Sequence, residues 1–329
     1  MRFILRAMIV EEVLLAAIDF EDETFRISED LDLARMCPSL QAAGLIHAVI
    51  LLEGTVAPGY RIVCGFRRLH GLRRLGRTTA AARILRPAEF GKLEVFLKAI
   101  WDNLSHRQLC PLETARVLYT LKHECGVESE VLIERFLPLL GLSPHRNVLR
   151  TYLTLHALHP ELRILLNAGH LTLSSAERLA GAAPETQAGL ASILGKIRLS
   201  ASLQRETLDL VEDLTAIGRT TPAEVLSQPE ILAAASDARI SAFQRGEKIH
   251  GLLYRQRNPR ISQAIERFHS EKAGLNLPGT VRLSPDPFFE SPRLRVEFDV
   301  ASAQAFRETV AALERACRTT SLDRLFEIA

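Results

Sequence analysis

Cysteine is scarce in this 329-residue sequence: Cys37, Cys64, Cys110, Cys125 and Cys317 stand far apart, with no CxxC pair and no matching histidine cluster. That scatter argues against a zinc site or a disulfide framework and suits a reducing cytosol. Long apolar runs are missing too, none approaching the roughly 18 residues that a membrane helix needs. Arg6 interrupts the apolar N-terminal stretch and no small-residue cleavage site follows, so a secretory leader is not expected. With 18 glycines, 15 prolines, no internal repeat and no low-complexity tract, fibrous and disordered classes are set aside. Acid is absent from one stretch: between Arg61 and Arg86 stand eight arginines (61, 67, 68, 73, 74, 77, 83 and 86) and neither Asp nor Glu.

What is present is the material of packed domains, 47% hydrophobic and 24% charged, in a chain whose length suits two or three of them. The net charge of +2 says little about partners, but the arginine block can build a local positive field that the total hides. Residues 1–100 read as mixed α/β. Val13–Phe20, Ala48–Leu52, Gly59–Cys64 and Ala80–Leu85 have strand length, while Leu31–Gly44 and Phe66–Leu75 have helical spacing and each meet a glycine. Residues 101–226 are helical throughout, with breaks at Gly126, Gly141, His159-Pro160 and Gly181–Pro184, and Pro111 opens a helix well. Residues 227–260 read as a linker or helix. Residues 261–329 read as helix, strand, strand, helix, with strands at Thr280–Leu283 and Arg293–Phe298 and a last helix from Ser302 to Arg318.

Gly65-Phe66-Arg67-Arg68 falls where a strand hands over to a helix. Free backbone N–H groups and the positive end of the helix dipole favour an anion there. Glycine allows close approach, and arginine adds bidentate charged hydrogen bonds. The arrangement suits a nucleoside triphosphate and a nucleic-acid backbone equally well.

Further on, Glu130–Gly141 followed by Leu142–Leu153 fits a helix-turn-helix at 130–155. Gly141 stops the first helix, and Ser143 is expected to cap the second with Pro144 at its first position. Ser143, His145, Arg146, Asn147 and Arg150 are then the candidates for meeting DNA, while an ordinary helical hairpin is the plainer alternative. Pro138 is expected to kink the first helix.

Three boxes in order carry a family resemblance. Tyr60–Gly76, with its Gly-x-Arg-Arg turn, resembles the signature of the ParB N-terminal domain. Ser39–Ile50 is similar to the helix, Gly-Leu and strand that precede it in that family. Asp102–Glu113 resembles the box that usually reads Glu-Asn-x-x-Arg and runs into a Leu-x-Pro-x-Glu opening. The likeness covers about residues 15–225 and, more faintly, the C-terminal unit. It implies an α+β protein: a small mixed α/β N-terminal domain, an all-α helix-turn-helix domain and a small ββα-type C-terminal unit that dimerises.

The resemblance also implies a CTP-responsive dimeric DNA clamp of chromosome or plasmid partition, cytoplasmic and nucleoid-associated, working beside a ParA-type ATPase. Carried over by position, Gly44, Leu45, Gly65, Arg67, Arg68, Asn103 and Arg107 would hold CTP. Asn103 would also meet Mg²⁺, and Asp102 would be the catalytic carboxylate of at most a slow CTPase. Three positions depart from the pattern, one of them Phe66, where the family often has an acidic residue or His. Asp102 stands where the family has Glu, one methylene short, and His106 replaces the box arginine, with Arg107 one residue later. Two alternatives follow: a helix-turn-helix regulator whose nucleotide pocket is degenerate, and an enzyme with small-molecule kinase or sulfiredoxin-like activity. The enzyme reading would look to Cys64, beside Gly65.

At the C-terminus, two strands and two helices offer too little core to stand alone. Val296, Phe298, Phe306, Val310, Leu313 and Phe326 are candidates for covering it, against a symmetry mate or against the chain's own helices.

Overall fold

A computed structural model describes residues 9–31, 33–54, 59–287 and 289–328. The architecture is α+β, and the chain divides into two compact units, residues 1–191 and 192–329.

In the first unit, β1 (Val10–Leu14), β2 (Ile18–Asp19), α1 (Leu33–Ala43), β3 (Val49–Glu53), β4 (Tyr60–Cys64), α2 (Phe66–Arg74) and β5 (Thr79–Leu85) build one sheet and its helical cover. The strand order is β1-β5-β3-β4-β2, with β1/β5 and β3/β4 antiparallel and β3/β5 and β2/β4 parallel. The single strand expected over Val13–Phe20 is split, because a 3₁₀ turn at Leu15–Ala17 carries the chain from one edge of the sheet to the other. On one face Leu40 of α1 and Phe66, Leu69 and Leu72 of α2 pack onto Val49, Leu51, Ile62, Ala80 and Ala82. Against β4 lies α3 (Lys92–His106), with Val95, Phe96, Ala99 and Ile100 buried. Each buried aliphatic or Phe side chain contributes about 1.5–3 kcal/mol, so the central strands are held where the site needs them.

The helical part continues with α4 (Pro111–Tyr119), which opens at Pro111 as expected and runs into a π-helical turn at Thr120–Glu124. The first helix-turn-helix segment is α5 (Ser129–Val131), a second π turn at Leu132–Phe136, and α6 (Leu137–Leu139). The π turn meets the problem that Pro138 poses. Leu137 N–H bonds back to Leu132 O, and the widened spacing precedes the residue that has no N–H to give.

Gly141, at φ +75°, ends the segment, and α7 (Arg146–Thr154) follows. Ser143 is not its cap. The helix starts at Arg146 behind an extended His145, whose N–H bonds Ser143 O at 2.8 Å. Leu149, Tyr152 and Leu155 turn inward, and α8 (Pro160–Asn167), α9 (Leu173–Ala180) and α10 (Pro184–Leu194) complete the run.

The second unit begins with α11 (Ala201–Gly218), α12 (Pro222–Leu226), α13 (Pro229–Ala235) and α14 (Ala242–Arg257). Residues 227–260 are therefore helical, not an extended linker. A Cβ on Gly246 would stand 2.3 Å from Arg198 O, so α14 passes hard against the chain entering α11. Then come α15 (Pro259–Gly274), the antiparallel hairpin β6 (Val281–Pro285) and β7 (Leu294–Phe298), α16 (Ala303–Ala316) and α17 (Thr320–Phe326). The last helix expected, Ser302 to Arg318, is α16, and the short α17 beyond it was not expected. Phe268, Leu275, Leu283, Ala316 and Leu325 form its small core, while Val296, Phe306, Val310 and Phe326 stay exposed.

Candidate nucleotide pocket and DNA-facing helix

The strand-to-helix turn is built on a glycine for two reasons. Gly65 sits at φ +101°, and a Cβ there would approach Val49 Cγ1 to 2.6 Å. With that turn in place, the first-turn N–H groups of α2 have no intrahelical acceptors. Arg67 and Arg68 leave the same turn and are anchored by backbone oxygens. Arg67 reaches Asp30 O through Nε (3.2 Å) and Nη2 (3.1 Å), and Arg68 Nη1 donates to His47 O at 2.9 Å.

The end of α3 supplies the opposite wall. Asp102 Oδ2 lies 3.6 Å from Arg68 Nη2. Arg107 Nη2 donates to Asn103 Oδ1 (2.8 Å) and Ser28 Oγ (3.1 Å), while its Nη1 pairs with Glu113. One cavity of about 190 Å³ is lined by Gly65, Arg67, Arg68, Asp102, Asn103, His106 and Arg107, closed by Phe25, Ile27, Ser28 and Met36. Gly44 and Leu45 do not line it. Gly44 ends α1 at φ +68°, and Leu45 packs, half-buried, on the sheet core.

Behind the cavity, Glu113 is buried and accepts from Arg107, from Cys110 N–H (3.0 Å) and from Glu29 N–H (3.3 Å). Burial pushes its carboxyl up, but these donors outweigh that and hold it below the usual carboxylate range. Glu29 in turn takes Arg116 at 3.0 Å and Arg163 at 2.7 Å. The segment beside the cavity is thereby tied to α4 and α8. Sequence reasoning missed Ser28, Glu29, Met36 and this role of Glu113. Glu113 was visible only as part of a helix opening, where it does act as a capping box.

Cys64 also borders the cavity but is buried, and burial, with the charge of Asp102, raises its thiol far above the ordinary range. A buried neutral thiol is a poor nucleophile.

The DNA-facing candidates gather separately. Ser143, His145, Arg146, Asn147 and Arg150 are all exposed, the last three on the outer face of α7. Arg146 makes an exposed pair with Glu130 at 3.4 Å.

These features define a class: an α+β protein with an arginine-lined cavity at a strand-to-helix turn, followed in the same compact unit by two helical segments joined at Gly141 in helix-turn-helix fashion. No protein-family model matches the chain. Three solved structures are similar at low superposition scores. A C-terminally truncated ParB from Caulobacter crescentus complexed with CTP-γ-S is 23% identical, covering 56% of this chain and 98% of that one, at a TM-score of 0.26. The truncated Caulobacter protein complexed to the centromeric parS site is 23% identical over 56% and 91%, at 0.33. A Pnob8-like ParB-N domain is 18% identical over 61% and 89%, at 0.34.

Among curated proteins, the chain is 25% identical over 199 residues to the probable chromosome-partitioning protein ParB of Coxiella burnetii. The match takes in 60% of this chain and 64% of that relative's length. It bears out the resemblance to the ParB family carried by the three sequence boxes. Among the described residues no helix is long and apolar enough to cross a membrane.

Proposed function

We propose that this protein is a CTP-responsive, dimeric DNA clamp of the partition type. The observation that carries the reading is the convergence on one cavity of Gly65, Arg67 and Arg68 from one wall with Asp102, Asn103 and Arg107 from the other. The likeness to a curated ParB supports the same reading. The arginines are pre-aimed by backbone carbonyls, so little side-chain entropy remains to be lost when a triphosphate arrives. The Arg68–Asp102 pair does not bar it. A partly exposed pair contributes about 1 kcal/mol or less, whereas charge-assisted bidentate bonds to phosphate are stronger. A cavity of about 190 Å³ is below the roughly 300–1,000 Å³ of ligand pockets. A nucleotide therefore opens it, with the α3 end moving away from the turn.

Mg²⁺ would enter with the phosphates. Asp102 is the one carboxylate lining the cavity, and Asn103 Oδ1 already accepts from Arg107. Among the described residues no cluster of three or more metal-ligating side chains occurs. The donor set fits an ion held chiefly by phosphate oxygens and water, with Asp102 and Asn103 as its protein contacts. Asp102, held by Arg68, supports slow hydrolysis at most.

DNA is met by the exposed face of α7, with Arg146, Asn147 and Arg150 toward base edges and phosphates and Ser143 and His145 at its entry. Dimerisation falls to the C-terminal unit, whose exposed Val296, Phe306, Val310 and Phe326 suit a symmetry mate. A ParA-type ATPase is the partner this role calls for, and the nucleoid is where it acts.

A second reading is a helix-turn-helix regulator without a nucleotide switch, favoured by the tie of Arg107 to Glu113 and of Arg68 to Asp102. The enzyme reading has no nucleophile in Cys64. Thermal stability with Mg²⁺ and each of the four nucleoside triphosphates separates the first two. At 100 times its dissociation constant a ligand of the folded state adds about 2.7 kcal/mol. A rise with CTP alone, lost in Arg68→Ala, supports the clamp; no rise with any nucleotide leaves the regulator.

A further inference from the structure

The cavity at the arginine turn accounts for one end of the first unit. A second basic concavity lies at the helix-turn-helix and involves residues given no role so far. A cleft of about 600 Å³ runs between the π turn that ends α4, the start of α5 and one flank of α7. Lys122 and His123 line it from the π turn, Ser129 and Glu130 from α5, and Arg146, Arg150 and Thr154 from α7. Leu149 and Leu153 form its floor. Glu130 is the one acid among the lining residues, and it is held at 3.4 Å by Arg146.

The π turn sets this arrangement. An extra residue per turn rotates Lys122 and His123 relative to the helix before it, and π turns recur at functional positions. His123 is steadied by Tyr119, whose ring centroid is 4.5 Å away, and Tyr119 stacks on His156 at 3.7 Å. The basic groups thus rise from a packed aromatic base beside α7.

We propose that this cleft takes a phosphate of the DNA backbone alongside the groove that α7 enters, with Lys122 as the added phosphate contact and Glu130 as a built-in brake. The assignment rests on the DNA-binding reading of α7. In a helix-turn-helix the elements before the recognition helix cross the sugar-phosphate backbone, and this cleft lies between those elements and α7. Its net positive lining suits a phosphodiester, and its contacts carry no base information. Glu130 opposes the phosphate directly and occupies Arg146, so binding must displace the Glu130–Arg146 pair. That pair is exposed on both sides and costs little to break.

The test uses the full chain and a 40-base-pair duplex of mixed sequence, with affinity followed by fluorescence anisotropy across KCl concentration. Each neutralised phosphate steepens the plot of log affinity against log salt by about 0.9. Lys122→Ala is expected to flatten the slope by about that amount. Between 50 and 200 mM KCl it therefore loses about 3.5-fold less affinity than the parent. Glu130→Gln is expected to move the other way, binding more tightly with a steeper slope because Arg146 is released. A variant that merely folds badly cannot tighten binding, so the opposed pair separates the electrostatic account from a structural one.

If the parent binds the duplex with a clear salt slope and both variants match it, the cleft is not a phosphate site while the DNA reading of α7 stands. If Glu130→Gln weakens binding, Glu130 supports the interface and the brake is wrong. If the parent does not bind duplex at all, the DNA reading fails and this inference with it.

Discussion

Replacing Gly65 by alanine separates two costs that the structure assigns to one atom. At φ +101° and ψ 24°, Gly65 holds a conformation that L side chains rarely adopt. Placing a non-glycine residue in left-handed space costs about 1–2 kcal/mol. In addition, the new Cβ would stand 2.6 Å from Val49 Cγ1 and 3.1 Å from Val49 Cβ. Val49 is a fully buried β-branched residue in a central strand, with one favoured rotamer and nowhere to move. Overpacking of this kind costs about 1–3 kcal/mol more.

Gly141→Ala is the matched control. Gly141 also has positive φ, +75°, but nothing lies within 4 Å of its added Cβ. Both substitutions remove similar entropy from the unfolded chain, so their difference isolates the clash, about 2 kcal/mol. Both fall in the first unit, as does the chain's one tryptophan, Trp101 on α3, which reports its unfolding by intrinsic fluorescence. For a domain of this size the gap corresponds to Tm values about 4–8 °C apart. Equal losses in the two variants would refute the close approach of the turn to β3, and with it the stated reason for glycine there.

Other expectations follow from the same geometry. Iodoacetamide at neutral pH should label exposed Cys317 quickly and leave Cys64 untouched until the protein unfolds, as mass spectrometry of the peptides would show. Glu113→Gln should cost about 2 kcal/mol at pH 7 by leaving Arg107 and two N–H groups poorly paired. The Glu113 carboxyl is held low, so its contribution is complete above the ordinary glutamate pKa of about 4.3 and fades as pH falls below it. The stability gap between parent and variant should therefore close in acid, and a gap independent of pH would contradict the ion-paired assignment. Phe306→Glu should turn a dimer into a monomer in sedimentation without lowering Tm greatly, because Phe306 is half exposed in the single chain; an unchanged dimer would place the interface elsewhere.

The parts of the fold bounded by glycine were the most legible. β4, α2 and β5 were read to within a residue or so, because Gly65 and Gly76 mark where each element must turn. Val13–Phe20 misled because its apolar run hides a 3₁₀ turn that only the edge-to-edge crossing requires. The start of α7 was misread at Ser143 because a capping serine followed by proline is a strong local signal, and the extended His145 overrode it.

The cavity was legible where motif residues carry it, at Gly65, Arg67, Arg68, Asp102, Asn103 and Arg107. It was not legible at Phe25, Ile27, Ser28 and Met36, which come from a stretch without clear periodicity and reach the site through topology alone. Glu29 was out of reach for a similar reason, since its partner Arg163 lies 134 residues away. Gly44 and Leu45 fell the other way: local resemblance favoured them, and the structure sets them outside the cavity lining.

On the proposed function, CTP is expected to bind in the cavity between the Gly65 turn and the end of α3. Amide hydrogen exchange of the full chain, with and without CTP and Mg²⁺, tests this most directly. Slowed exchange is expected in peptides covering Gly65–Leu69 and Asp102–Arg107, and none of it in Arg68→Ala. Protection confined to other segments, or no protection at saturating CTP, would contradict it.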